Sequence, residues 1–220
     1  RLGTDLRMAG FRGCRGQGAG TTLTNLLRNP GNFQIDFARG LQVSRHDGGA
    51  WQPALDASVS GLSPAPDRAG DVVTVRRTVG PGWALTAAMV SGTSVVNVTP
   101  TSVIQRGDLL LLSDCSSAVV FQASNATPGG DGAIEHSAAG SLQPGNAQAD
   151  LGRVFLQDAV VHRLATTTYY LAPSRRTGRA GMMALWSNTS PAYDGSAQPQ
   201  ELLTGVERLS LRLGLDTNAD

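Results

Sequence analysis

The stretch GDLLLLSDCSSAVVFQAS, residues 107–124, constrains the fold more than any other. Two unbroken apolar runs, LLLL and AVVF, flank a short polar SDCSS. Short apolar runs bounded by turn residues read as strands, and unbroken ones as strands covered on both faces. The segment predicts a hairpin with Cys115 in or near its turn and at least one strand buried on both sides.

Other segments extend the β pattern. DVVTVRR (71–77) carries β-branched residues at 72, 73, 74 and 75, and SVVNVTP (94–100) is a second run, ended by Pro100. DAVVHRLATTTYYLAPS (158–174) predicts two strands, GMMALWSN (181–188) one, and QIDFARGLQV (34–43) a short strand pair. Residues 47–70 and 127–152 are rich in Gly, Ser, Pro and Asp and predict loops. Glu201–Val206 suggests one helical turn. From there Leu209, Leu211, Leu213 and Leu215 alternate with polar or Gly residues, the period of a half-buried antiparallel strand.

The clearest helical signal opens the chain. Leu2, Leu6 and Ala9 recur at helical spacing until Gly10 and Gly13 interrupt it. No capping residue precedes them, so the opening reads as the second half of a longer helix. The expected class is α+β, with this helix packed on a predominantly antiparallel β domain. With 5% aromatic residues, 16% charged residues and 27 glycines, the composition suits a β-rich, loop-rich chain.

Several chemistries lack their residues. All 18 cationic side chains besides histidine are arginine, which removes P-loop and Schiff-base chemistry. GQGAG, in the irregular connection 14–32, has no preceding strand and no following Lys. HExxH, GxSxG and CxxC do not occur, and His46, His136 and His162 lie on separate segments. An enzyme is not expected. No stretch approaches the roughly 20 apolar residues of a membrane span. Asp216, Asn218 and Asp220 match the alternating oxygen ligands that open a calcium loop, though a polar turn after the last strand is the favoured reading. Cys14 and Cys115 would pair in an oxidising compartment or stay as two buried thiols in a reducing one. If paired, they would close a loop of about 100 residues, worth at most roughly 4 to 5 kcal/mol. Residues 1–45 carry seven arginines against Asp5 and Asp36, while the remainder carries eleven against fifteen acids. The basic end could face phosphates, lipid headgroups or an acidic protein surface.

Four segments together resemble one family. RLGTDLRMAGFRGC, GDLLLLSDCSSAVVFQAS, and TTTYYLA followed by QELLTGVERLSLRLGLDT are similar in order and spacing to the PilW family of type IV pilus minor pilins. The resemblance implies a non-catalytic subunit without an organic cofactor. Residues 1–13 would be the C-terminal half of a pilin helix whose apolar part precedes Arg1 and lies in the inner membrane. Residues 14–220 would form a β-rich periplasmic domain, a single globular unit with 1–13. Leu2, Leu6 and Ala9 would be its packing face, and Cys14 and Cys115 would pair. The partners implied are other minor pilins and a tip adhesin. The subunit would prime pilus assembly and end at the pilus tip on the cell surface, serving twitching motility, adhesion or DNA uptake. DNA contact would fall on Arg12 and Arg15. The rival readings are a type II secretion pseudopilin and a secreted carbohydrate- or ligand-binding β domain.

Overall fold

The apolar hairpin feeds two separate cores. In this computed structural model, which describes residues 1–13, 22–193, 195, 198–212 and 214, β6 (Leu109–Ser113) and β7 (Ser117–Gln122) pair antiparallel, with Leu110 opposite Phe121 and Leu112 opposite Val119. Successive strand side chains point to opposite faces. Leu110, Leu112, Val119 and Phe121 accordingly join one cluster, with Val96, Ile104, Ile134, Leu151 and Phe155. Leu109, Leu111, Ala118 and Val120 join the other, with Leu27, Ile35, Phe37 and Leu164. The turn between the strands is set by Asp114, whose carboxylate accepts the backbone N–H groups of Ser116 and Ser117, each at 2.8 Å. Arg153 holds the same carboxylate at 2.8 Å.

The remaining strands are β1 (Thr22–Asn25), β2 (Leu41–His46), β3 (Trp51–Gln52), β4 (Val72–Ala84), β5 (Val96–Asn97), β8 (Ala133–Ile134), β9 (Val160–Pro173), β10 (Met183–Ser190) and β11 (Gln200–Thr204). The large mixed sheet has the order β1-β7-β6-β9-β4-β2-β3, with β10 pairing β9 and β11, while β5 and β8 form a separate ribbon. The β1–β7 pair is parallel, whereas β6–β7, β6–β9, β10–β11, β2–β3 and β5–β8 are antiparallel.

By backbone proximity the chain divides into two compact units. The first comprises Arg1–Gly40 and Val75–Thr166 and contains both apolar clusters. Its loops are tied by buried polar side chains. Asn146 takes the place of a strand neighbour beside Gln122, accepting its N–H at 2.7 Å and donating to its carbonyl at 2.8 Å. His136 bridges the carbonyls of Ala149 and Ser94 at 2.7 and 2.9 Å. The second unit comprises Leu41–Thr74 and Thr167–Asp220, as far as it is described. It holds β2, β3, β10, β11 and the short helix α2 (Ala57–Ser60), capped by the Asp56 side chain on Ser58 N at 2.9 Å.

The architecture is mostly β, so the α+β expectation holds only loosely. Among the described residues the helices are α2, the one-turn 3-10 helix Phe33–Ile35, and α1 (Leu2–Arg7), six residues long. Four local expectations change. Residues 34–43 give the 3-10 turn and the start of β2, because Pro30 and Gly31 begin a turn rather than a strand. The run 158–174 is one 14-residue strand rather than two. The expected helical turn at 201–206 is mostly β11, since pairing with β10 (Leu185 opposite Leu203) outweighs local propensity. The expected strand from Leu209 is not a ladder strand over its described part, although its burial still alternates.

Candidate functional site

Two places gather unusual polar chemistry, one in each unit. In the first unit it is the N-terminal segment. Leu2, Leu6 and Ala9 lie half-buried along one side of the segment, as their spacing predicts. The most buried residue of α1 is instead Asp5, in the same helical row, which meets Arg77 of β4 at 2.7 Å. Both side chains are largely withdrawn from water, at 5% and 16% exposure, so the pair acts as a buried ion pair.

The chain after α1 continues this attachment. Gly10 N donates to the Arg76 carbonyl at 3.0 Å, and Arg76 N donates to the Gly40 carbonyl at 2.8 Å. Gly40 runs so close to Gly10 that a Cβ would strike its backbone. The Arg76 side chain, 1% exposed, donates to the Phe33 carbonyl and to that of Arg39, and its guanidinium lies over the Phe33 ring at 4.9 Å. Phe11 packs edge-on against His162, 6.0 Å between centroids, and burial holds that imidazole below its ordinary pKa. Arg12 is half-buried, reaches the Ala38 carbonyl at 3.4 Å, and has its pKa lowered by burial. Its guanidinium is therefore drawn onto the protein, and Arg15 lies outside the described residues. Gly13 passes against the Ser113 side chain at the end of β6. Cys115, in the turn that follows, is disulfide-bonded. Cys14, the other cysteine of the sequence, lies outside the described residues.

In the second unit the center is Asp71, 5% exposed, at the start of β4. Arg45 of β2 grips its carboxylate with both prongs, Nε at 2.9 Å and Nη2 at 2.8 Å. Leu211 N donates to the same carboxylate at 2.8 Å, and Asp71 N donates to the Leu209 carbonyl at 2.8 Å. Arg45 Nη2 also reaches the Leu211 carbonyl at 3.0 Å. The hydrogen bonds from Arg45, with help from Leu211 N–H and against the opposing effect of burial, lower the Asp71 pKa. This clamp replaces a ladder for the segment the leucine alternation marked. Gly70 allows the approach, since a Cβ there would press on Leu171 and Leu209.

Beside the clamp lies a cavity of about 380 Å³ bordered by Arg45, His46, Arg68, Asp71, Arg208 and Arg212, among others. Arg68, Arg208 and Arg212 are exposed, and Arg208 lies close enough to Asp71 to help lower its pKa. The leucine spacing is readable in the sequence, as is its polar counterpart, Arg208 and Arg212 on either side of Leu209 and Leu211, whereas the Arg45–Asp71 pair leaves no local signal.

Asp216, Asn218 and Asp220, the calcium candidates, lie outside the described residues. Among the described residues there is no cluster of three or more His, Cys, Asp or Glu side chains able to hold a metal, and no helix long and apolar enough to cross a membrane. No family model, curated protein or solved structure matches the chain.

Proposed function

We propose that the chain is the globular part of a non-catalytic minor pilin of the PilW type, which joins other minor pilins to prime type IV pilus assembly. The observation that carries the reading is the N-terminal segment, whose resemblance to the family's helix end coincides with a firm attachment to the β sheet. A subunit withdrawn from a bilayer by its helix needs that helix fastened to its domain. The Asp5–Arg77 pair and the Gly10–Arg76 hydrogen bond are such fastenings. The expected pairing of Cys14 with Cys115 would add a covalent one, and the extracytoplasmic compartment suits it.

The test is the N-terminal sequence and intact mass of the native protein from cell membranes. The expected result is an N-methylated start, with an apolar helix of about 20 or more residues upstream of Arg1. A native start at Arg1, or just after an ordinary secretory signal, overturns the reading. The arginine-lined cavity favours a second reading, a secreted ligand-binding β domain, which that outcome would support.

A further inference from the structure

We propose that the cavity beside Asp71 is a binding site for a phosphate group, a function independent of the pilin reading. The first ground is charge. Among the described residues four arginines border the cavity against one acid, which is held by Arg45 and the Leu211 N–H, with Arg208 acting on it at longer range. One carboxylate cannot balance four guanidinium groups, so these residues leave net positive charge around the cavity. A phosphate dianion offsets more of it than one carboxylate does, and its oxygens match the planar donor forks of guanidinium.

The second ground is geometry. The Asp71 clamp holds 209–211 extended, with Leu209 and Leu211 half-buried and Arg208, Ser210 and Arg212 exposed. Strand periodicity places those three residues on one side, and all three border the cavity. Arg68 arrives from the turn before β4, and His46 from the end of β2. Gly48 N donates to His46 Nδ1 at 3.1 Å, so the neutral ring carries its N–H on Nε2 as a further donor. Donors from three separate segments surround a concavity of a size that suits a small phosphate ester rather than an extended polymer.

The test is titration calorimetry of the whole chain with sodium phosphate, sodium pyrophosphate and glucose 6-phosphate near neutral pH, with sodium chloride at matched ionic strength as control. Saturable phosphate or pyrophosphate binding that chloride does not reproduce is expected. The double variant Arg208→Gln/Arg212→Gln should weaken it by about tenfold or more. Arg68→Gln, on a different segment, should weaken it too, so the idea stays testable if the double variant disturbs the 208–212 segment. Tighter binding of glucose 6-phosphate would support the site and assign it to a phosphorylated sugar. Equal or weaker binding would support it with the free ion as ligand. No saturable binding beyond chloride, or unchanged binding in a folded Arg68→Gln protein together with the folded double variant, overturns the proposal. So does binding seen only with long duplex DNA and not displaced by pyrophosphate.

Discussion

The two units are built by different means. In the first, among the described residues, sixteen buried apolar side chains form one cluster and eight form another, on opposite faces of the β6–β7 hairpin. In the second, buried Val72, Val73, Tyr169, Tyr170, Leu171 and Trp186 are interleaved with hydroxyls and carboxylates. Thr74 bonds Thr168 at 3.0 Å, and Thr167 bonds Thr189 at 3.1 Å. Glu201 of β11 accepts from Ser174 at 2.9 Å, Arg175 N at 2.9 Å and Thr204 at 2.7 Å. Packing of apolar volume is indifferent to protonation, whereas a carboxylate that gathers donors works only while ionised. The two apolar clusters of the first unit should therefore fail when volume is removed, and the carboxylate-tied part of the second unit when charge is removed; the buried Asp5–Arg77 pair is a place in the first unit that depends on charge.

Truncating Phe121 to alanine removes one of the largest fully buried side chains of the first unit. It should cost about 3–5 kcal/mol, with hydrogen exchange rising most in peptides from the first unit. Equal loosening of both units would break the comparison. Asp5→Asn leaves Arg77 facing a neutral partner in a largely dry site and should cost about 3 kcal/mol. Exchange at residues 1–13 should rise first, and pairing the change with Arg77→Met should recover part of the loss in a double-mutant cycle.

The smallest effect is also the most diagnostic. Burial opposes ionisation of Glu201, but hydrogen bonds from Thr204, Arg175 N and Ser174, with Arg176 nearby, outweigh it and lower its pKa. Asp71 is lowered chiefly by Arg45. A carboxylate with a depressed folded pKa contributes stability that is complete above its ordinary value of about 4 and is lost as pH falls through the lower folded value. Glu201→Gln should flatten the acid branch of second-unit stability while costing about 1 kcal/mol near neutrality. An acid branch that stays as steep in Glu201→Gln and Asp71→Asn would sink the assignment. In the first unit Asp114 also has a lowered pKa, but it sits in a turn outside both clusters.

This contrast explains what the sequence disclosed. The hairpin 109–122 was legible because its residues are apolar on both faces, a pattern that needs no partner to be recognised. β4 and β9 were legible from β-branched runs, although the unity of β9 was hidden by Arg163 and the polar threonines, which partners elsewhere in the fold accommodate. Phe155, Leu151 and Ile134 are core residues without a legible period: Phe155 lies between exposed Val154 and Leu156, while Leu151 and Ile134 sit in Gly-rich, polar stretches. The second unit was least legible because its bonds join distant positions. Asp71 meets Arg45 and Leu211 across gaps that no local pattern records. The leucine alternation at 209–211 identified the covered side correctly, and the arginines it left outward are the candidate site.

The hairpin that serves two cores also limits how such a sequence can vary through descent. Inserting or deleting one residue within β6 or β7 would exchange the side chains sent to each face, handing each cluster the set shaped for the other. Lineages carrying this fold should keep both strand lengths fixed and change them by substitution alone. Gains and losses of length should collect in exposed connections such as 175–181, between β9 and β10, where no residue parity has to be preserved.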